Sequence, residues 1–290
     1  MATVAAIMCL PFLFQVEAFA APQQQPIKLN FYNNIGQNWP YAHRAWIALH
    51  ETGLEYNINL VDLNDKPQDF VELYKRANPL PGASAKVPLL EVVGQDDGED
   101  NDTTSVVLCE SLVVAEYIAE LQAKLIEEGP SSMELLLLPT KPEDRAIMRL
   151  FFELCSSCFT YFPILRSAGD ETKLEAALDQ FKMGLLNVDT FLRTMGNRGR
   201  DGPYLFGNQF TLAECNAAPF VQRACMVLPT GIGSGRSIDP LDICDEFKLD
   251  RVKCWIMAVL DRPSVSETAV PKEVYMKNVE EFLKKMDQES

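Results

Sequence analysis

IKLNFYNNIGQNWPYAHRAWIALHETGLEYNINLVDL, residues 27–63, changes its hydrophobic period twice. IKLNFYNN alternates apolar and polar residues, as a strand with one buried face does. PYAHRAWIALHETG then carries apolar residues at helical spacing, opening on Pro40 and closing on Gly53. Proline suits a first turn because its missing N–H would be unpaired there anyway, and glycine accepts the left-handed backbone of a C-cap. YNINLVDL returns to the pattern of a strand. The unit is β-α-β, so its two strands run parallel across a crossover helix.

Outward from this unit, KPQDFVELYKRANP reads as a short polar helix stopped at Pro79. KVPLLEVV and TSVVLCE read as two strands, and ESLVVAEYIAEL as a helix with acids at its start, where they suit the dipole. The order β-α-β-α-β-β-α is complete by Leu121. GQDDGEDNDTT, residues 94–104, lacks the ligand spacing of an EF-hand. A solvated hairpin turn is the stronger reading and a calcium loop the weaker, because Gly, Asp and Asn are turn formers.

The composition then shifts. AKLIEEGPSSMELLLLPTKPEDRA holds three prolines and ends in a helix start at Pro142, with Glu143 and Asp144 in its first turn. Beyond it AIMRLFFELCSSCF, TKLEAALDQFKMGLLNVDTFLRTM, TLAECNAAPFVQRACMVL, DEFKLDRVKCWIMAVL and EVYMKNVEEFLKKM are all helical in period. The predicted organisation is an α/β domain over 27–122, a linker over 123–142 and an all-α domain over 143–290.

A length of 290 residues suits two domains of roughly 150 residues each. The net charge is −15, from 26 Lys and Arg against 41 Asp and Glu, and no basic cluster could track a phosphate backbone. That excludes nucleic acid as the expected partner. At the N-terminus the apolar run Val4–Val16 is shorter than the about 20 residues of a membrane span. Residues 1–18 read as a cleavable signal peptide and 19–26 as a short transit segment; a structureless tail is the alternative. EAFAAP resembles the Phe-centred cleavage motif of plastid precursors in algae with a secondary plastid, which would direct the protein to the plastid; the endoplasmic reticulum or secretion is the alternative.

Removing Cys9 with the leader leaves seven of the 8 cysteines, an odd and sparse set that is no disulfide framework. CSSC, Cys155 to Cys158, reads as core packing one helical turn apart rather than as a redox dithiol. With two histidines, His43 and His50, no metal site is expected.

A β-α-β-α-β-β-α domain followed by an all-helical one resembles a cytosolic-type glutathione S-transferase, whose first domain is thioredoxin-like. Four stretches carry the resemblance. AKVPLLE is similar to the segment before the family's cis-proline, which implies Pro88 there and the Val87 backbone as partner of the glutathione cysteinyl amide. LCESLVVAEYI is similar to the Glu-Ser motif for the γ-glutamyl end, with Glu110 facing its ammonium and Ser111 and the helix N-terminus its carboxylate. LNDKPQDF is similar to the Lys-Pro stretch of the omega and lambda classes, where Lys66 would reach a glutathione carboxylate. GNQFTLAEC is similar to the helix-starting box of the second domain, with Thr211 and Glu214 capping each other. Arg44 and Trp46 read as packing residues of the first helix.

In the omega and lambda classes the motif at the first helix runs Cys-Pro-x-Ala-x-Arg. WPYAHR keeps Pro40, Ala42 and Arg44 but has Trp39 at the cysteine position. A thiolate there is a nucleophile, whereas indole offers only an N–H donor, so thiol transfer through position 39 is not expected. Three donors could instead serve the glutathione sulfur: the Asn38 amide, the Trp39 indole and the Tyr32 phenol. The tyrosine of Tyr-dependent classes aligns with Phe31, and a one-residue slip turns a strand side chain to the other face. Asn38 therefore ranks ahead of Tyr32, with helix capping as its other role. Trp39 could equally fill the pocket and offer a surface to a flat apolar ligand. The resemblance implies glutathione as co-substrate, an apolar small-molecule partner and a homodimer. Three functions follow: a transferase conjugating glutathione to an apolar electrophile, a non-catalytic carrier of glutathione or an aromatic ligand, and a glutathione-independent interaction module, against which the Glu-Ser pair counts.

Overall fold

The computed structural model describes residues 27–94, 105–128, 136–196 and 201–289. The leader and transit segment, the acidic stretch 95–104 and part of the linker, 129–135, lie outside the described residues. Strands β1 (Lys28–Asn34), β2 (Tyr56–Val61), β3 (Leu89–Val93) and β4 (Ser105–Cys109) form one sheet in the order β2-β1-β3-β4. The β1–β2 pair is parallel and the other two are antiparallel. The period of two divides the side chains between faces. Leu29, Phe31, Leu90 and Val92 enter the main core beneath α1 (Pro40–Thr52) and α3 (Ser111–Glu128). Tyr32, Val61 and Leu89 pack on the other face with Phe70 and Tyr74 of α2 (Gln68–Ala77).

The helix punctuation matches the sequence at Gly53, which caps α1 at φ 63°, but differs at α3. That helix starts at Ser111 with no acid in its first turn. Glu110 stands just outside it at φ 70°, in the left-handed region that ordinary residues avoid.

The second domain is helical: α4 (Pro142–Cys158), α5 (Phe162–Leu165), α6 (Glu171–Thr194), α7 (Leu212–Val227), α8 (Pro240–Glu246), α9 (Asp250–Asp261), α10 (Pro263–Glu267) and α11 (Lys272–Glu289). DEFKLDRVKCWIMAVL, one helix by period, is two. Lys248 turns left-handed at φ 57°, and Leu249 N–H donates to Cys244 C=O at 2.8 Å while Lys248 N–H donates to Asp245 C=O at 3.3 Å. Those are the two bonds of a Schellman cap, with lysine where glycine is the usual signal. Thr211 and Glu214 form the expected capping box at α7. Glu214 also accepts from Leu205 N–H at 2.8 Å and the Trp255 indole at 3.2 Å, so the cap doubles as a core junction. Cys155 and Cys158 are buried free thiols. A Cβ on Gly184 would stand 2.8 Å from the Cys158 carbonyl, so this part of α4 lies against the α6 backbone.

Helix α1 joins the domains through polar side chains. Glu51 takes a two-pronged bond from Arg262, both at 2.7 Å. His43 sits between Thr268 Oγ1, 2.7 Å from Nε2, and Arg223 Nη1, 3.3 Å from Nδ1. Arginine cannot accept, so Nδ1 is the acceptor and the ring is neutral with its proton on Nε2. Burial, with Arg223 beside it, holds the His43 pKa well below 6.5. The unfolded chain therefore takes up a proton near pH 6.5 that the folded chain refuses, and this stability is present above 6.5 and lost as pH falls. Stability should drop between pH 6.5 and 5.5 with a slope approaching about 1.4 kcal/mol per pH unit from this residue. Urea unfolding of wild type and His43→Gln across that window checks it; the slope should be shallower in the variant.

Candidate functional site

Three chain turns converge at one end of the sheet: the β1–α1 junction, the entry to β3 and the β4–α3 turn. Each has an irregular backbone. At β3 the Val87–Pro88 peptide is cis, and Val87 makes no backbone hydrogen bond among the described residues. An extended peptide in the cleft could pair with its N–H and C=O as another strand would. At α3 the left-handed Glu110 turns the chain into Ser111, whose side chain is buried at the head of the helix. At α1 the N-cap is Trp39, which caps nothing with its side chain. The first-turn amides of that helix therefore keep their positive end.

Between these turns lies a cleft of about 530 Å³, and it gathers Trp39, Lys66, Val87, Pro88, Glu110 and Ser111, all but two of the residues picked from the sequence. Lys66 Nζ donates to Ser84 Oγ at 3.1 Å on one side. Glu110 and Ser111 lie at the head of α3 on the other. The layout offers a cation, a strand edge, and a carboxylate beside a helix N-terminus, all in one concavity.

Asn38 and Tyr32 are not brought to the cleft. The Asn38 side-chain amide pairs with that of Asn34 at 2.7 Å, and the Asn38 backbone carbonyl accepts from Arg223 Nη2 at 3.0 Å. Nor does it cap α1, since Trp39 holds that position. Tyr32 packs its ring 5.8 Å from Phe70 on the α2 face, and burial raises its phenol. Residues not picked from the sequence also line the cleft, among them Tyr41, Ser84, Lys86 and Cys109. Tyr41 could have been found by its place in the first turn of α1, two residues past Trp39. Lys86 could have been found beside Val87. Tyr41 and Trp39 are each 49% exposed. Tyr41 stands edge-on to Phe220 of α7, with centroids 5.6 Å apart, so aromatic surface continues from the cleft to the helical domain. Cys109 is held protonated by burial and the charge of Glu110.

A mixed four-stranded sheet with its cis-proline and an all-α partner define a thioredoxin-like domain joined to a transferase-type helical domain. Residues 40–121 match the family described as glutathione S-transferase, N-terminal domain, and residues 171–248 match glutathione S-transferase, C-terminal domain. The chain belongs to the glutathione S-transferase family. It is 30% identical over 196 residues to glutathione S-transferase L2, chloroplastic, of Arabidopsis thaliana, which covers 67% of this chain but 53% of that protein, so the match spans about half of the relative's length. It is 25% identical over 185 residues to the maleylacetoacetate isomerase of Mus musculus, covering 62% of this chain and 72% of that one. The crystal structure of glutathione transferase Omega 1C from Trametes versicolor superposes with a TM-score of 0.63 at 26% identity, over 88% of this chain and 95% of that one.

Of the three tryptophans, Trp255 is fully buried and Trp46 donates to Tyr56 Oη at 2.9 Å, while Trp39 lines the cleft. Emission should therefore report cleft occupancy through Trp39 alone. A ligand that occupies the cleft is expected to change the fluorescence of the wild type, and Trp39→Phe to remove most of that change.

Proposed function

We propose that the protein binds glutathione in this cleft and conjugates it to an apolar electrophile. The observation that carries the reading is that Lys66, Val87, Glu110 and Ser111, separated in sequence, line one concavity with a half-exposed aromatic mouth. Lys66 takes the glycyl carboxylate, the Val87 backbone takes the cysteinyl amide, and Glu110 with Ser111 takes the γ-glutamyl end. The sulfur then faces the first turn of α1, where the helix dipole and the donors of Trp39 and Tyr41 favour the thiolate. The electrophile lies against Trp39, Tyr41 and Phe220.

A second reading, a carrier that holds glutathione or an aromatic ligand without turnover, is favoured by Trp39 standing where the omega and lambda motif has cysteine. We infer further that the protein acts in the plastid, supported by EAFAAP and by the chloroplastic relative. Homodimerisation is supported by Leu112 and Val113 of α3 and Leu150 of α4, which are exposed around the Glu116–Arg149 pair that links these helices.

Ultraviolet difference titration of bound glutathione against pH separates the readings. A free thiol of this type ionises near pH 8.5. The transferase reading expects the bound thiol to ionise at least about one unit lower, about 1.4 kcal/mol of thiolate stabilisation. Saturable binding without a shift makes the protein a carrier, and no binding removes both.

Restoring the thiol tests how far the site has been remodelled. Trp39→Cys places a cysteine at the open N-terminus of α1, so it should gain glutathione-dependent disulfide reduction that the wild type lacks. A coupled thiol-transferase assay checks this, and no gain would mean that the backbone at α1 no longer presents a thiol to glutathione.

A further inference from the structure

Arg44 is 7% exposed, yet no carboxylate pairs with it among the described residues. Its Nε donates to the Asn216 carbonyl at 2.9 Å, and its Nη1 lies 3.5 Å from Ser111 Oγ. The guanidinium carbon stands 4.5 Å from the centre of the Phe220 ring and 5.4 Å from that of Tyr41. Neutral carbonyls and ring faces offset part of the cost of burying a cation, but they do not neutralise it. Burial accordingly pulls its pKa down to about 10. Elsewhere on α1 the chain shows how it neutralises a buried charge, matching Glu51 with Arg262. Arg44 has no such match among the described residues.

The surroundings show where an anionic group would meet it. Ser111, the nearest hydroxyl, lines the cleft and opens α3. The first turn of α3 carries no acid of its own, and its amides give that end of the helix a partial positive charge. The guanidinium thus stands next to Ser111, which lines the cleft at the head of α3.

We propose that Arg44 is the buried counter-charge for the α-carboxylate at the γ-glutamyl end of glutathione, acting on the group held at Ser111. The assignment rests on the glutathione reading above and makes the site selective for ligands with a carboxylate at that end. Arg44 keeps its packing contacts with α7, so the same side chain ties carboxylate binding to the junction between domains.

Calorimetry with two ligands tests this: glutathione, and 4-aminobutyryl-cysteinyl-glycine, which keeps the ammonium, thiol and glycyl carboxylate but lacks the α-carboxylate. The wild type should prefer glutathione by at least about tenfold, the scale of a charge-assisted bond. Arg44→Met should collapse that preference to within about threefold by weakening glutathione and leaving the analogue unchanged. Arg44→Lys, which keeps the charge and covers the case in which the methionine variant fails to fold, should weaken glutathione alone by a smaller factor. Equal weakening of both ligands by either variant would mark Arg44 as structural and overturn the assignment. A wild type that binds the two ligands equally would overturn it too while leaving the glutathione reading intact. A wild type that binds neither would remove both.

Discussion

Helix α1 is buried on two sides, against the sheet and against α7, and that double burial organises the molecule. A helix in such a position has few faces left for polar side chains, so each one it carries must find its partner inside. Glu51 finds Arg262, His43 finds Thr268 and Arg223, and Arg44 finds the Asn216 carbonyl. All these partners belong to the helical domain. The domains are therefore locked by directional bonds along one helix, and the same bonds fix where its N-terminus points. Arg223 completes the lock by donating to the Asn38 carbonyl, one residue before the cleft begins.

The fold was legible because its signals are local. Alternation in IKLNFYNN, helical spacing from Pro40 to Gly53 and the turn residues between strands each report on a few neighbouring residues. They agreed on one topology. What stayed hidden depended on backbone states without a residue signature. Lys248 closes α8 in a left-handed conformation normally announced by glycine, so period alone ran two helices together. Glu110 looked like a first-turn acid, but its left-handed backbone places it before the helix.

The site was legible to the extent that motifs mark backbone functions. Pro88 marks the strand edge at Val87, and Ser111 marks the head of α3, because in both cases the residue type is tied to what the main chain does. Side-chain direction is another matter. Asn38 and Trp39 are adjacent, yet one pairs with Asn34 and the other lines the cleft. Nothing in the sequence distinguishes them. Tyr41 escaped notice because the motif treats its position as variable, although one helical step brings it round to the same mouth.

Trp39 stands where the resembling omega and lambda motif has cysteine, and it brings no thiol of its own to the N-terminus of α1. The N-terminus of α1 remains uncapped by any side chain, so its amides still favour an anion. A protein cysteine there would supply that anion itself. With indole in its place, the negative charge has to arrive with the ligand, and a glutathione thiolate is of the right chemistry. Trp39 and Tyr41 add bulk and apolar surface at the mouth, which narrows access for water and strengthens the local field. In the proposed function, the same residues that cannot undergo covalent thiol exchange line a pocket for a bound thiolate beside an aromatic ligand. In the proposed function, reaction of that thiolate depends on how closely a ligand on the Phe220 side approaches the sulfur, and so on the interdomain junction to which Arg44 and Arg223 contribute.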